Sequence, residues 1–322
     1  MRSASSILLT SCLLLTCGGV FGVACAQGNP SGYDPFQVPE EAGEDAAVGD
    51  EPGDDASEEA SSDSSVDSPP DTSGDKPVND VVGDPVTDPK FEEAAIEAGP
   101  CTVCDQAGCG TCPTVATIPM GGQRIDSIEV TNEQYAAWLA TNPKLSNQIA
   151  ACSGNASFAP SKDWPVTGKD SYPVSYVDWC DAYAFCIWAK KRLCGKINGG
   201  ENAYADYMDA AKSQWYKACT GGGVKTFPYG SSYVGTNCNG ADYGAGDKLG
   251  AGQASNCQGA YPGLFDMSGN VWEWEDSCDT GNLCRIRGGS YTNNSNALDC
   301  AVDSSLPRTT TAPNVGFRCC SD

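Results

Sequence analysis

Polar and apolar residues alternate from Arg124 to Val130, the period of a half-buried strand, and the spacing then turns helical. Thr131 and Gln134 stand at that change, three residues apart. This is the spacing of a capping box, in which the threonine hydroxyl accepts from a first-turn amide. Tyr135, Trp138 and Leu139 then share the apolar face of a predicted helix. A second helix is predicted from near Asp178, with Ala182, Phe185, Cys186 and Ala189 as its stripe. Lys190, Lys191 and Arg192 are expected in its last turn, where cations suit the helix dipole, and Gly195 is expected to close it in a left-handed cap. A third helix includes Trp215, Tyr216 and Ala218 and stops at Gly221-Gly222-Gly223. Beyond it the chain is rich in glycine and aromatic residues, with short strand candidates such as 285–287. The mixture predicts an α+β fold with much irregular structure. Neither an internal repeat nor a phosphate-binding glycine loop is visible.

The pattern before residue 101 is different. Arg2 precedes an apolar run from Ile7 to Val23 that ends in Ala24-Cys25-Ala26, which reads as a secretory signal over 1–26. Two processing outcomes are open: cleavage after Ala26, or lipidation of Cys25 within Gly22-Val23-Ala24-Cys25, which resembles a bacterial lipobox. Residues 27–100 hold 21 acids and two bases, with no aromatic between Phe36 and Phe91. Such a segment cannot bury enough apolar surface to offset chain entropy, so it is expected to be an acidic disordered linker. A cysteine-rich segment follows at 101–114, and a folded domain is expected over 115–322.

Charge and composition remove several function classes. The chain carries −23, but −19 of that lies in residues 27–100, so the folded part is nearly balanced. A surface of this sign repels phosphates, and no nucleic-acid partner is expected. Histidine is absent, which excludes imidazole general bases, Ser-His-Asp relays and histidine-ligated metal centres. Nineteen cysteines suit an oxidising compartment, so an extracytoplasmic place is expected, in or outside a bacterial envelope. Sixteen of them lie from residue 101 onward, an even number that permits complete pairing. Cys101-x-x-Cys104 and Cys109-x-x-Cys112 have the form of zinc ligands, but the intervening stretch is short and export favours disulfides. Cys278 with Cys284 and Cys238 with Cys257 are plausible local staples.

The residues also carry a resemblance. Glu129-Val130-Thr131-Asn132-Glu133-Gln134-Tyr135, Pro173-Val174-Ser175-Tyr176-Val177-Asp178-Trp179, Phe227-Pro228-Tyr229-Gly230, Gly269-Asn270-Val271-Trp272-Glu273-Trp274, Arg287-Gly288-Gly289-Ser290-Tyr291 and Val315-Gly316-Phe317-Arg318 stand in the order of the formylglycine-generating enzyme (sulfatase-modifying factor) family. The resemblance implies a loop-rich, disulfide-stabilised fold related to C-type lectin domains. In members that are enzymes it implies an oxidase that converts a sulfatase cysteine to formylglycine with oxygen and a copper-binding cysteine pair. The positions matching that pair hold Asn293 and Leu298. An amide and an isobutyl group cannot bind copper(I) as paired thiolates, so neither copper nor family-type activity is expected.

Other assignments transfer by resemblance. A structural calcium is implied at the positions matching Asp266, Gly269, Val271 and Glu273, two carboxylates and two backbone carbonyls that supply hard oxygen ligands. Asn239-Gly240 could mark a second calcium loop. Disulfides Cys186 to Cys319 and Cys219 to Cys300 are implied likewise. The polar loop with Ser290, Asn293, Asn294 and Asn296 occupies the place of the enzymes' active site and offers amides and hydroxyls for recognition. Three functions follow for test: a non-catalytic module that binds a protein or glycan, an oxidase of the family kind, and a structural envelope component.

Overall fold

The computed structural model describes residues 101–322; the signal, the Cys25 lipidation site and the acidic linker lie outside the described residues. Two small sheets and three short helices are held in long ordered loops. Strands β1 (Thr117–Pro119) and β2 (Arg124–Asp126) form a hairpin and lead into helix α1 (Asn132–Leu139). Helix α2 (Trp179–Trp188) is followed at once by β3 (Arg192–Leu193), and α3 (Gln214–Thr220) comes next. The remaining strands are β4 (Trp272–Cys278), β5 (Leu283–Arg287), β6 (Ser305–Pro307), β7 (Val315–Gly316) and β8 (Cys319–Ser321). One sheet has the order β1-β2-β8-β3 and is antiparallel; the other runs β6-β5-β4-β7, with β4 and β7 parallel.

Local chemistry accounts for the helix starts. The Thr131 side chain accepts from the Gln134 amide while the Gln134 side chain accepts from the Thr131 amide, so the capping box before α1 is complete. Asp178 and Asp181 do the same for α2. Ser213 caps α3, and Gly221 ends it in the left-handed conformation, at φ 67°.

The end of α2 differs from expectation. The helix stops at Trp188, and Lys190 itself takes the left-handed conformation, at φ 57°. Lys191 and Arg192 therefore lie beyond the helix: Lys191 pairs with the buried carboxylate of Asp126, and Arg192 opens β3. Gly195 is no helix cap. It sits where a Cβ would come within 2.6 Å of the Gly200 carbonyl oxygen, so it permits a close approach of loops. The expected strand 124–130 is likewise shorter, since pairing with β8 ends at Ile125 and Val130 instead donates its amide to the Phe317 carbonyl.

The core is aromatic where α1 meets α2. Tyr135 stacks on Phe185 at 5.6 Å, Trp138 meets Phe185 edge-on at 5.7 Å, and Phe317 closes the group from the strand side. The Tyr135 hydroxyl donates to the Phe158 carbonyl at 2.7 Å, which satisfies the polar tip inside this cluster. Leu139 is only half-buried.

All sixteen cysteines of the described residues are paired. Cys186–Cys319, Cys219–Cys300, Cys238–Cys257 and Cys278–Cys284 appear as expected, and Cys152–Cys180 and Cys194–Cys320 join them. In the segment 101–114 the pairs are Cys101–Cys109 and Cys104–Cys112, interleaved. Cys104, Asp105 and Cys112 are the one set of three acid or thiol ligand atoms within 4.8 Å of one another among the described residues, but both sulfurs belong to one disulfide and cannot serve zinc as thiolates. The segment docks on the end of α2: the Cys104 amide donates to the Trp188 carbonyl at 2.9 Å, and the Trp188 indole donates to the Cys109 carbonyl at 3.0 Å. Among the described residues no helix is long and apolar enough to cross a membrane.

Candidate functional site

Strand β4 carries the sequence Trp-Glu-Trp-Glu, and its alternation suggests one dry face and one wet face. Both are buried. Trp272 and Trp274 fill one side, and Glu273 and Glu275 enter the other at 1% and 0% exposure, which obliges each acid to find a partner. Glu275 accepts from the Ser213 hydroxyl at 2.7 Å and faces the buried Arg287 at 3.6 Å. Glu273 takes the Arg318 guanidinium at 2.6 to 2.9 Å, and its Oε2 also accepts from the Trp215 indole at 2.8 Å. Arg318 spends its remaining donors on the carbonyls of Asp126 and Phe265.

This arrangement bears on calcium. Each oxygen of Glu273 already accepts two hydrogen bonds, so Glu273 has no open lone pair for a metal. Asp266 accepts from the Gly252 amide at 2.6 Å through Oδ2. Gly269 is at φ 75° with a Cβ position 2.5 Å from the Asn239 carbonyl oxygen, so the turn admits glycine alone. Val271 buries its side chain against Gly316. The four positions as placed do not fit a complete calcium ligand set, because Glu273 serves Arg318.

The same neighbourhood holds an acid that the sequence reading passed over. Glu129 is fully buried, accepts from the Asn270 amide at 2.9 Å through Oε1, and lies beside Asp266, so that a single proton on one of the two acids joins them. Three buried carboxylates, Glu129, Asp266 and Glu273, thus face one guanidinium. Burial, with the Asp266 charge beside it, pushes the Glu129 carboxyl well above the usual carboxylate range. Burial also raises Asp266, to about 6, against the pull of the Gly252 amide and Arg318. Glu129 could have been suspected from its place at the end of an alternating strand, but nothing in its spacing marked it as buried.

The loop matching the enzymes' active site follows β5. Arg287 is buried, lies over the Trp215 ring at 4.9 Å, and donates to the carbonyls of Tyr207 and Cys300. Gly289 lies at φ 75° with a Cβ position 2.6 Å from the Ala297 carbonyl, which brings the two limbs of the loop together. Ser290 and Asn293 are correspondingly buried and serve each other: Asn293 Oδ1 accepts from the Ser290 amide at 2.8 Å and hydroxyl at 2.9 Å. They cannot present their polar groups to a ligand as expected, because the turn they close consumes them. Asn294 and Asn296 are exposed and keep that capacity. Leu298 is buried against Gly240 and Gly289. Cys300, the nearest sulfur in sequence, is tied to Cys219 in the core. The residues at the copper positions do not fit copper.

The sequence comparison agrees with the fold. Residues 79–322 match the family model described as the sulfatase-modifying factor enzyme 1-like domain, so the chain belongs to that family of formylglycine-generating-enzyme-like proteins, and its α+β, loop-rich, disulfide-stabilised fold is theirs. Its relatives include the formylglycine-generating enzyme of Mus musculus, 27% identical over 50% of this chain and 47% of that protein. The enzyme of Streptomyces coelicolor is 27% identical over 49% and 55%. The inactive C-alpha-formylglycine-generating enzyme 2 of Bos taurus is 28% identical over 48% and 52%. The chain thus spans about half the length of the curated relatives it matches. Solved structures similar to it include PvdO from Pseudomonas aeruginosa, with 17% identity and TM-score 0.44 over 69% of this chain and 98% of that one.

Proposed function

We propose that this chain is a non-catalytic member of its family, exported and acting as an extracytoplasmic module that binds a protein or a glycan. The observation that carries the reading is the state of the thiols. Asn293 and Leu298 stand where the enzymes hold their cysteine pair, and every cysteine among the described residues is in a disulfide. Without a thiolate pair there is neither a soft-metal site nor a source of electrons for oxygen. Relatives named as inactive formylglycine-generating enzymes support the same reading. Tethering through a lipid on Cys25, or release after Ala26, completes it at the envelope of a bacterium. Incubation of the purified protein with copper, oxygen, a thiol reductant and a sulfatase-type cysteine peptide is expected to give no formylglycine by mass spectrometry. Turnover by the wild type, lost in Cys300→Ser, would overturn the reading.

The structural calcium implied by the resemblance does not belong to the proposal, because Glu273 is taken by Arg318 and the Trp215 indole. A cation bound only by the folded state would stabilise it by mass action, about 2.7 kcal/mol at a hundredfold excess over Kd. The melting midpoint is therefore expected to be the same in millimolar calcium as in chelator. A midpoint several degrees higher in calcium would restore the ion to the reading.

A further inference from the structure

A cavity of about 450 Å³ opens on the face formed by the 162–176 loop, the 247–248 turn and Tyr291. Its size is that of small-molecule sites, about 300–1,000 Å³. None of its residues belongs to the acid cluster around Asp266, and only Tyr291 borders the loop that corresponds to the enzymes' active site.

The charges inside it do not cancel. Lys162, Lys169 and Lys248 line the cavity with Asp163 and Asp247. Asp247 pairs with Lys169 at 2.8 Å, and Asp163 is engaged by the Tyr176 hydroxyl. Lys162 and Lys248 make no ion pair among the described residues. Lys162 lies at the rim, 6.0 Å from the Tyr176 ring. Lys248 is half-buried and gives a hydrogen bond to the buried Ser175 hydroxyl, a neutral partner. Partial burial of an ammonium is costly, and the cost is visible: burial lowers Lys248 to about 8 although the Asp247 and Asp163 carboxylates pull the other way, and three lysines stand against two acids in the lining. The site lacks one negative charge.

The walls narrow the ligand further. Trp164, Tyr172, Tyr176 and Tyr291 supply flat apolar faces, while the Asp163 and Asp247 carboxylates can accept from hydroxyl groups. Those same carboxylates disfavour a multiply charged anion such as a phosphate ester. Asp163 and Tyr176 both hold left-handed backbone, at φ 55° and 60°, which non-glycine residues adopt only when their surroundings enforce it. Here the Tyr176 amide is held by the Ala312 carbonyl and its carbonyl by the Ser161 amide, each at 2.9 Å, so the ring's placement is built into the fold.

We propose that this cavity binds an acidic sugar, a pyranose bearing one carboxylate, with the carboxylate between Lys248 and Lys162 and the ring against Tyr176 and Tyr291. The assignment rests on the reading of the chain as a binding module and names its ligand class. The test is calorimetric titration of the purified full-length protein with D-galacturonate, D-galactose and acetate. Galacturonate is expected to bind at least tenfold tighter than either galactose or acetate, since each of these keeps only half of the recognition. Lys248→Met and the rim variant Lys162→Ala are each expected to weaken galacturonate at least tenfold, with unchanged melting for Lys162→Ala. Galacturonate binding no tighter than galactose, or unmoved by both lysine variants, would overturn the proposal, as would acetate matching galacturonate. Such a failure leaves the peptide-oxidation result untouched, and turnover of that peptide would leave the sugar result untouched, so the two readings fail separately.

Discussion

Glu273→Ala is expected to cost the folded state about 3–5 kcal/mol, the loss typical when one partner of a buried ion pair is removed. Arg318 is the reason. Its guanidinium has no exposure, it reaches Glu273 through three close contacts, and its other donors meet carbonyls that cannot neutralise it. The Trp215 indole would lose its acceptor at the same time. Glu273→Ala combined with Arg318→Met is expected to recover part of the loss, since an apolar side chain replaces a guanidinium that has lost its hydrogen-bonded carboxylate, while Glu129 and Asp266 are left with no cation facing them. Urea midpoints measured in chelator separate this pairing from any calcium effect. A Glu273→Ala protein within about 1 kcal/mol of wild type would contradict the ion pair as the main role of this acid.

The second large effect concerns two disulfides that close nearly the same loop. Cys186–Cys319 spans 133 residues and Cys194–Cys320 spans 126. Closing a loop of that length is worth ~5 kcal/mol in the chain-entropy model. With one bridge intact, however, the other closes a ring of only about nine residues, worth ~2.5 kcal/mol. Cys186→Ser with Cys319→Ser should therefore cost ~2.5 kcal/mol, as should Cys194→Ser with Cys320→Ser, whereas all four substitutions together should cost ~7.5 kcal/mol. That sum reaches the whole stability of many domains, about 5–15 kcal/mol, so the fourfold variant is expected to be largely unfolded at body temperature. Denaturant midpoints of the three variants test this; costs that simply add would show that the two bridges act on independent loops.

These two effects differ in how far they can be read from the sequence alone. The capping boxes at Thr131 and Asp178 are short-range chemistry, and the helices begin where the side chains say they must. Helix ends are less legible: α2 stops before its three basic residues because Lys191 is drawn to Asp126 and Arg192 to β8, contacts made across the fold. The family resemblance supplied two long-range disulfides, but Cys194–Cys320 and Cys152–Cys180 follow no local pattern. The acid cluster was half legible. Asp266 and Glu273 stand in a recognisable block, yet an alternating strand looks half-exposed until a second layer covers it, so Glu129 and the role of Arg318 stayed hidden. The lysine-lined cavity gathers residues 162 to 291, each ordinary in its own stretch of chain.

The double burial of β4 has a consequence for how proteins of this kind are sorted. The block from Gly269 to Trp274 is dictated by backbone crowding at Gly269, by Trp272 and Trp274 in the core, and by a guanidinium that Glu273 must neutralise. None of these demands involves catalysis. In this chain the block is a signature of architecture: each of its demands is one of folding. Membership inferred from it therefore reports a scaffold, and the task the scaffold performs has to be read from the loops it holds in place.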